Sequence, residues 1–183
     1  MTDFKTSVAK VAATLKVSAK TSVEEWSHWT LVHNPDSADT YTCSRTWVVQ
    51  GPSSIAVTGD MGSMVFERSG GLGLGFFKNG VSYAAEKCAA GEAWVYSPDE
   101  ARADLISVLQ ELIDEDESDG WRAKQLAADD IDFDSEHTVY EWYHDNVSSD
   151  DVPHLGREPS SDMLRALACI EAVLTYENLD HPR

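Results

Sequence analysis

Two short runs of period-two hydrophobicity stand at the centre of the chain. In residues 54–68, Ile55 and Val57 alternate with Ala56 and Thr58, and Met64 and Phe66 alternate with Val65 and Glu67. Gly59-Asp60-Met61-Gly62 lies between them and supplies residues that accept a tight turn at little cost, so the pattern predicts a β-hairpin. Upstream, residues 26–33 read as a strand with Trp29, Leu31 and His33 on one side and His28, Thr30 and Val32 on the other. Residues 41–50 read as a further strand, with Tyr41, Cys43, Trp47 and Val49 facing one way and Thr42, Ser44 and Thr46 the other. Short links between successive strands imply an antiparallel meander of at least four strands with one face needing cover.

Helical spacing takes over on either side of this block. Phe4, Val8, Val11, Ala12 and Leu15 predict an amphipathic helix over 3–17, and Thr21 with Glu24 has the spacing of a capping box that would start one helical turn before the first strand. Ser97-Pro98-Asp99-Glu100 is a helix start, with a capping hydroxyl, proline at the first position and acids at the positive end of the dipole. Ala101, Leu105, Val108, Leu109 and Leu112, widened by Ile106 and Ile113, form a stripe that would pack on the sheet, and the acids at 111–119 would fray its far end. Residues 121–128 read as a short helix, 129–134 as an acidic loop anchored by Ile131 and Phe133. Residues 136–147 read as a helix with Val139, Tyr140, Trp142, Tyr143 and Val147 inward. The last helix, 161–176, turns Met163, Leu164, Leu167, Ile170 and Leu174 to one side. The expected fold is α+β: an antiparallel meander of four or more strands in the first half, covered by three or more helices from the second, in a single domain over residues 1–183.

Charge adds what periodicity does not. The net charge is −18 at pH 7, and it is lopsided: residues 1–92 hold nine acids and eight bases, while residues 93–183 hold 23 acids and six bases. Such a field repels nucleic acid and anionic membranes and attracts basic surfaces. Without an apolar run of spanning length or a signal-peptide pattern, the expected location is the cytoplasm. Cys43, Cys88 and Cys169 are odd in number and widely spaced, which fits buried reduced thiols.

Several segments resemble a family of uncharacterised bacteriophage proteins. They are residues 55–66, with the motif Thr58-Gly59-Asp60-Met61-Gly62, then Phe76-Phe77, Tyr83-Ala84-Ala85-Glu86-Lys87 and Tyr96-Ser97-Pro98, followed by an aromatic helix and a leucine-rich one. The resemblance spans residues 41–176 in pieces. It implies a phage or prophage gene acting in the bacterial cytoplasm, and it implies no activity.

Enzymatic signatures are sparse. Gly70-Gly71-Leu72-Gly73-Leu74-Gly75 has neither dinucleotide nor phosphate-loop spacing and reads as a flexible connection. His137, Glu141 and His144 share one helix face, with Glu-x-x-His spacing, but that face lies opposite the apolar one and lacks a second metal-binding helix. Asp60 reads as a turn former, and Cys43 as a core thiol unless His28 or His33 reaches it. From Glu111 to Asp151 there are 15 acids against Arg122 and Lys124. Carboxylates one helical turn apart lie about 5–6 Å from one another, near the phosphate spacing of a DNA strand. The expected binding surface is Glu111, Asp114, Glu115, Asp116, Glu117, Asp119, Trp121, Asp129, Asp130, Asp132, Asp134 and Glu136. The expected partner is a basic nucleic-acid-binding host protein, with no direct contact to nucleic acid or membrane and no cofactor. The expected function is a non-catalytic inhibitor of the anti-CRISPR or anti-restriction kind. The alternatives are a small-molecule binder whose sheet pocket is lined by Trp29, Tyr41 and Trp47, and a metal-dependent enzyme using His137, Glu141 and His144.

Overall fold

The computed structural model describes residues 4–37, 43–115, 124, 131–147 and 153–180. The chain divides into two compact units, Met1–Ala93 with Pro159–Arg183, and Trp94–Glu158.

The first unit is a meander with a helical cover. Helix α1 (Phe4–Ala12) precedes strands β1 (Leu15–Val23), β2 (Trp26–His33), β3 (Thr46–Gln50), β4 (Ser54–Gly59) and β5 (Met64–Glu67). A 3-10 segment (Leu74–Asn79) and helix α2 (Val81–Glu86) lead to β6 (Cys88–Ala90). The six strands pair in sequence order and are antiparallel throughout. The register stacks Trp29 on Val48, Val48 on Val57 and Val57 on Met64, with Leu31 beside Thr46 and Ile55 beside Phe66. All eight side chains are buried, as one face of a pleated sheet requires when it backs onto a core. The last helix of the chain, Ser161–Asp180, together with α1, the 3-10 segment and α2, supplies the apolar groups that cover this face. That helix is fixed at its start by Ser160, whose hydroxyl accepts the Met163 N–H at 3.0 Å and donates to the Glu92 carbonyl. A triad at the edge of the core fastens its other end: half-buried Glu177 accepts the Trp29 indole N–H at 2.7 Å and pairs with the exposed Lys20 at 2.7 Å.

Three expectations change here. Residues 15–23 form strand β1, which takes in the last three residues of the helix expected over 3–17, and Val23-Glu24-Glu25-Trp26 is a hairpin turn rather than a capped helical turn. β1 is an edge strand with mostly exposed side chains, and its register shifts between Val17 and Ala19, so its alternation is interrupted and its composition polar. Among the described residues of the 41–50 stretch only Thr46–Gln50 is strand, and Thr46 and Val48, not Trp47 and Val49, face the core. The residues before Thr46 do not carry the strand's alternation, and Thr46 can lie inward because its hydroxyl accepts the Met61 N–H at 3.1 Å. Tyr41 and Thr42 lie outside the described residues. In the glycine-rich stretch Leu72 and Leu74 are core residues, so it is an anchored connection.

The second unit has its own core. Strand β7 (Trp94–Tyr96) pairs with β8 (Arg157–Pro159); between them run α3 (Pro98–Glu115) and α4 (Glu136–Asn146), and the last helix of the chain is thereby α5. Ala101, Leu105 and Leu109 of α3 are buried against Phe133, Val139, Tyr143 and Leu155. Of the stripe predicted to lie on the sheet, Ala101, Leu105, Val108 and Leu109 find their cover within this unit, while Ile106, predicted to widen it, is exposed. Ser97 caps α3 as predicted, accepting the Glu100 N–H at 3.3 Å. Tyr140, predicted inward, is 51% exposed, because the helix buries Val139 and Tyr143, four apart, with Trp142 and Val147 packed half-buried beside them. The stretch 121–128 falls outside the described residues apart from Lys124, whose ammonium donates to the Asn146 carbonyl.

Two glycines make close approaches that no side chain permits. Gly59, at φ +126°, would bring a Cβ to 2.6 Å from the Arg45 carbonyl oxygen, and Gly156, at φ +73°, to 2.6 Å from the Ala101 Cβ. Gly59→Ala and Gly156→Ala are each expected to cost on the order of 2–4 kcal/mol, from backbone strain plus steric displacement. Urea denaturation checks this. Gly70, at φ +86° with open space around it, is the control, and its alanine variant should lose only the backbone strain, about 1–2 kcal/mol.

Candidate functional site

The acidic surface belongs to the second unit. Residues 94–158 hold 19 acids and four bases, a balance of −15, whereas the other unit holds 13 acids and ten bases, a balance of −3. The helices arrange this charge by their amphipathic spacing. With Ala101, Leu105, Leu109 and Ile113 buried, Glu111 and Asp114 are left on the exposed side of α3. The Asp114 carboxylate is held by the Gln110 amide at 2.8 Å. Around the start of α4, Phe133 is buried and the flanking Asp132, Asp134 and Glu136 point outward. Asp132 accepts the Asp134 N–H at 3.0 Å, and Ser135 caps the helix through the Thr138 N–H at 3.4 Å.

The Tyr96 hydroxyl donates to the Phe133 carbonyl at 2.7 Å. Its acidity is weakened first by burial, then by the negative charges of Glu136, Asp132 and Asp134. Those three carboxylates therefore act together on one point of the surface. Arg102 lies 4.4 Å over the Phe133 ring, and Arg157 is 3.8 Å from Glu136. The patch is acidic but partly compensated at this edge.

Of the predicted surface, Glu111, Asp114, Asp132, Asp134 and Glu136 are exposed. Glu115 ends α3, and its side chain, with Asp116, Glu117, Asp119, Trp121, Asp129 and Asp130, lies outside the described residues. The metal alternative does not gather its ligands: His137 Nε2 is 3.2 Å from Glu141, while His144 Nδ1 turns to Asp145 at 3.1 Å. Among the described residues no three metal-binding side chains converge. The sheet pocket of Trp29, Tyr41 and Trp47 is also overturned. Trp29 is buried in the core while Trp47 stands on the opposite face of the sheet, because the register pairs Trp29 with Val48.

Asp60 is a structural anchor. Its carboxylate accepts the N–H groups of Ser44 at 2.8 Å and Arg45 at 2.9 Å. Cys43 is a buried thiol whose ionisation is suppressed mainly by burial, and Cys169 is pushed up to about 12 by burial and by Cys43. Neither is a poised nucleophile. His28 lies on the sheet face opposite the core, and His33 meets Cys43 through its backbone N–H, at 3.0 Å from the carbonyl.

One feature escaped the sequence reading. A groove of about 630 Å³ opens in the first unit between α1, α5 and the turn at 77–81. Its walls are mainly apolar, with Lys5, Lys78, Asn79 and Glu171 among its lining residues. Its three segments lie far apart in the chain, and each looks like ordinary amphipathic structure on its own.

No protein-family model, no curated protein and no solved structure matches the chain. No helix among the described residues is long and apolar enough to cross a membrane.

The backbone bonds to Asp60, from Arg45 first and then Ser44, hold its carboxyl below the usual aspartate range. A lowered folded-state value means that its contribution to stability is present above about pH 4, the ordinary aspartate range, and is lost as pH falls through the lower folded value. Asp60→Asn is expected to flatten the fall in urea midpoint as pH drops below about 4 relative to the parent. An unchanged slope would remove Asp60 from the anchoring role.

Proposed function

We propose that this protein is a non-catalytic inhibitor whose acidic unit occupies the basic groove of a nucleic-acid-handling protein. The observation that carries the reading is the segregation of charge: −15 of the net −18 falls in one compact unit. In that unit Ala101, Leu105 and Leu109 of α3 and Val139 and Tyr143 of α4 turn inward, and Glu111, Asp114, Asp132, Asp134 and Glu136 turn outward. A fold that needed acid only for solubility has no reason to place so little of it on the other unit. A field of this kind accelerates encounter with a basic partner by about 10–1000-fold at low salt and is screened within about 10 Å at 0.1 M. Half-exposed aromatics, Trp142 beside the core and Tyr140 stacked on His144 at 6.4 Å, offer the desolvated contacts on which affinity rests. The resemblance to phage proteins supplies the setting, a bacterial cytoplasm in which defence proteins grip nucleic acid, with restriction and CRISPR effectors as the target class.

The reading is tested by capture from lysate of a defence-carrying bacterium, followed by release with duplex DNA. The expected result is a nucleic-acid-binding protein retained at low salt and displaced by the DNA. Replacing Glu111, Asp114, Asp132, Asp134 and Glu136 by Lys should weaken capture by about a hundredfold or more, since reversed charges meet like charges. Retention that ignores both the DNA and the charge reversal would overturn the proposal.

A further inference from the structure

The groove of the first unit has the makings of a ligand site, and it owes nothing to the acidic surface. Its floor and walls come from Phe77, Leu167 and Ile170, which are buried, and from Phe4, Val8 and Leu174, which are half-buried. At about 630 Å³ it lies within the 300–1,000 Å³ range of small-molecule pockets, and its lining has their usual composition, apolar with a few polar groups. Those groups are two ammonium side chains, Lys5 and Lys78, the Asn79 amide and one carboxylate, Glu171. Lys78 is exposed and has no ion pair among the described residues. Positive groups thus outnumber negative ones at the groove in a protein of net charge −18, and they do so in the unit that carries only −3 of it.

We propose that this groove binds a single-chain amphipathic carboxylate, a medium-chain fatty acid, with its hydrocarbon along Val8, Leu167, Ile170 and Leu174 and its head at Lys78 and Asn79. Val8, Leu167, Ile170 and Leu174 favour a hydrocarbon chain, since their side chains offer a polar one no hydrogen bond. The ammonium group of Lys78 selects an anionic head over a cationic one by simple charge complementarity. Ala9 lines the groove from the exposed side of α1, so it can be enlarged without touching the core.

The experiment is calorimetric titration of the full chain with sodium octanoate, decanoate and dodecanoate below their micelle concentrations. Dodecanol and dodecyltrimethylammonium serve as head-group controls. Each buried methylene should tighten binding about fourfold, so each two-carbon step should gain about tenfold or more until the groove is filled. Lys78→Glu should weaken dodecanoate by about tenfold and leave dodecanol unchanged. Ala9→Trp should abolish binding of all three acids; Val81→Trp, which fills the same groove from the other wall, replaces it if that variant loses its urea midpoint. No heat with any acid, equal affinity for dodecyltrimethylammonium, or undiminished binding in the groove-filling variants would each overturn the proposal. A groove built for a protein helix would give the first of these results.

Discussion

The fold of the first unit hangs on the turn Gly59-Asp60-Met61-Gly62 and what it does to the strand beside it. Each residue has a separate task. Gly59 lets the hairpin lie against the Arg45 carbonyl, Asp60 takes up the N–H groups of Ser44 and Arg45, and Met61 is buried with its N–H on the Thr46 hydroxyl. Gly62 approaches the Asp162 carboxylate in the first turn of α5, where a Cβ would come to 3.0 Å. A four-residue turn thus sets where β3 begins, which face it shows and where the covering helix starts. Once Thr46 is fixed inward, the alternation of Val48, Val57, Met64 and Phe66 follows without further specification. The motif that looked most specific in the sequence is specific for architecture.

The elements that were legible are those in which one physical rule acted alone. The 54–68 hairpin, the start of α3 at Ser97 and the apolar face of α5 each carry an undisturbed signal of period or cap. What was hidden had two rules in competition. β1 has a bulge in its alternation and, at the sheet edge, little buried surface to mark it. Thr46 is a polar residue in the core, intelligible only when the Met61 N–H is known to reach it. The acidic surface was readable as composition, because charge can be counted without a fold. The groove was not, because Phe4, Phe77 and Leu167 share no local pattern and meet only after the sheet has brought their elements together.

Charge and hydrophobicity are divided differently between the two units. Among the described residues the first has the larger apolar core, with near-balanced charge, and the second the smaller core, with most of the acid in its sequence. Like charges at this density oppose compaction, so the second unit folds against its own field. The contacts that hold it are short-range and geometric: Gly156 donates to Asp104 at 2.9 Å, Ser97 donates to the Gly156 carbonyl at 2.8 Å, and Tyr96 reaches the Phe133 carbonyl. Raised salt, which screens the repulsion and leaves such contacts alone, favours this unit's folded state while it weakens any partner held by charge.

The first unit is built from both ends of the sequence, with the second inserted between Ala93 and Pro159. Synthesis proceeds from the N-terminus, so all six strands exist before the helix that covers them. Translation of the 65 inserted residues at roughly 5–20 residues per second leaves the face of Trp29, Val48, Ile55 and Phe66 without α5 for about three to thirteen seconds. α1, the 3-10 segment and α2 cover only part of that face, and apolar surface left exposed in this way is prone to aggregation. The ribosome-bound chain therefore passes through an interval in which part of this face lacks its cover, and the closing of Ser160 onto Glu92 marks the end of that interval.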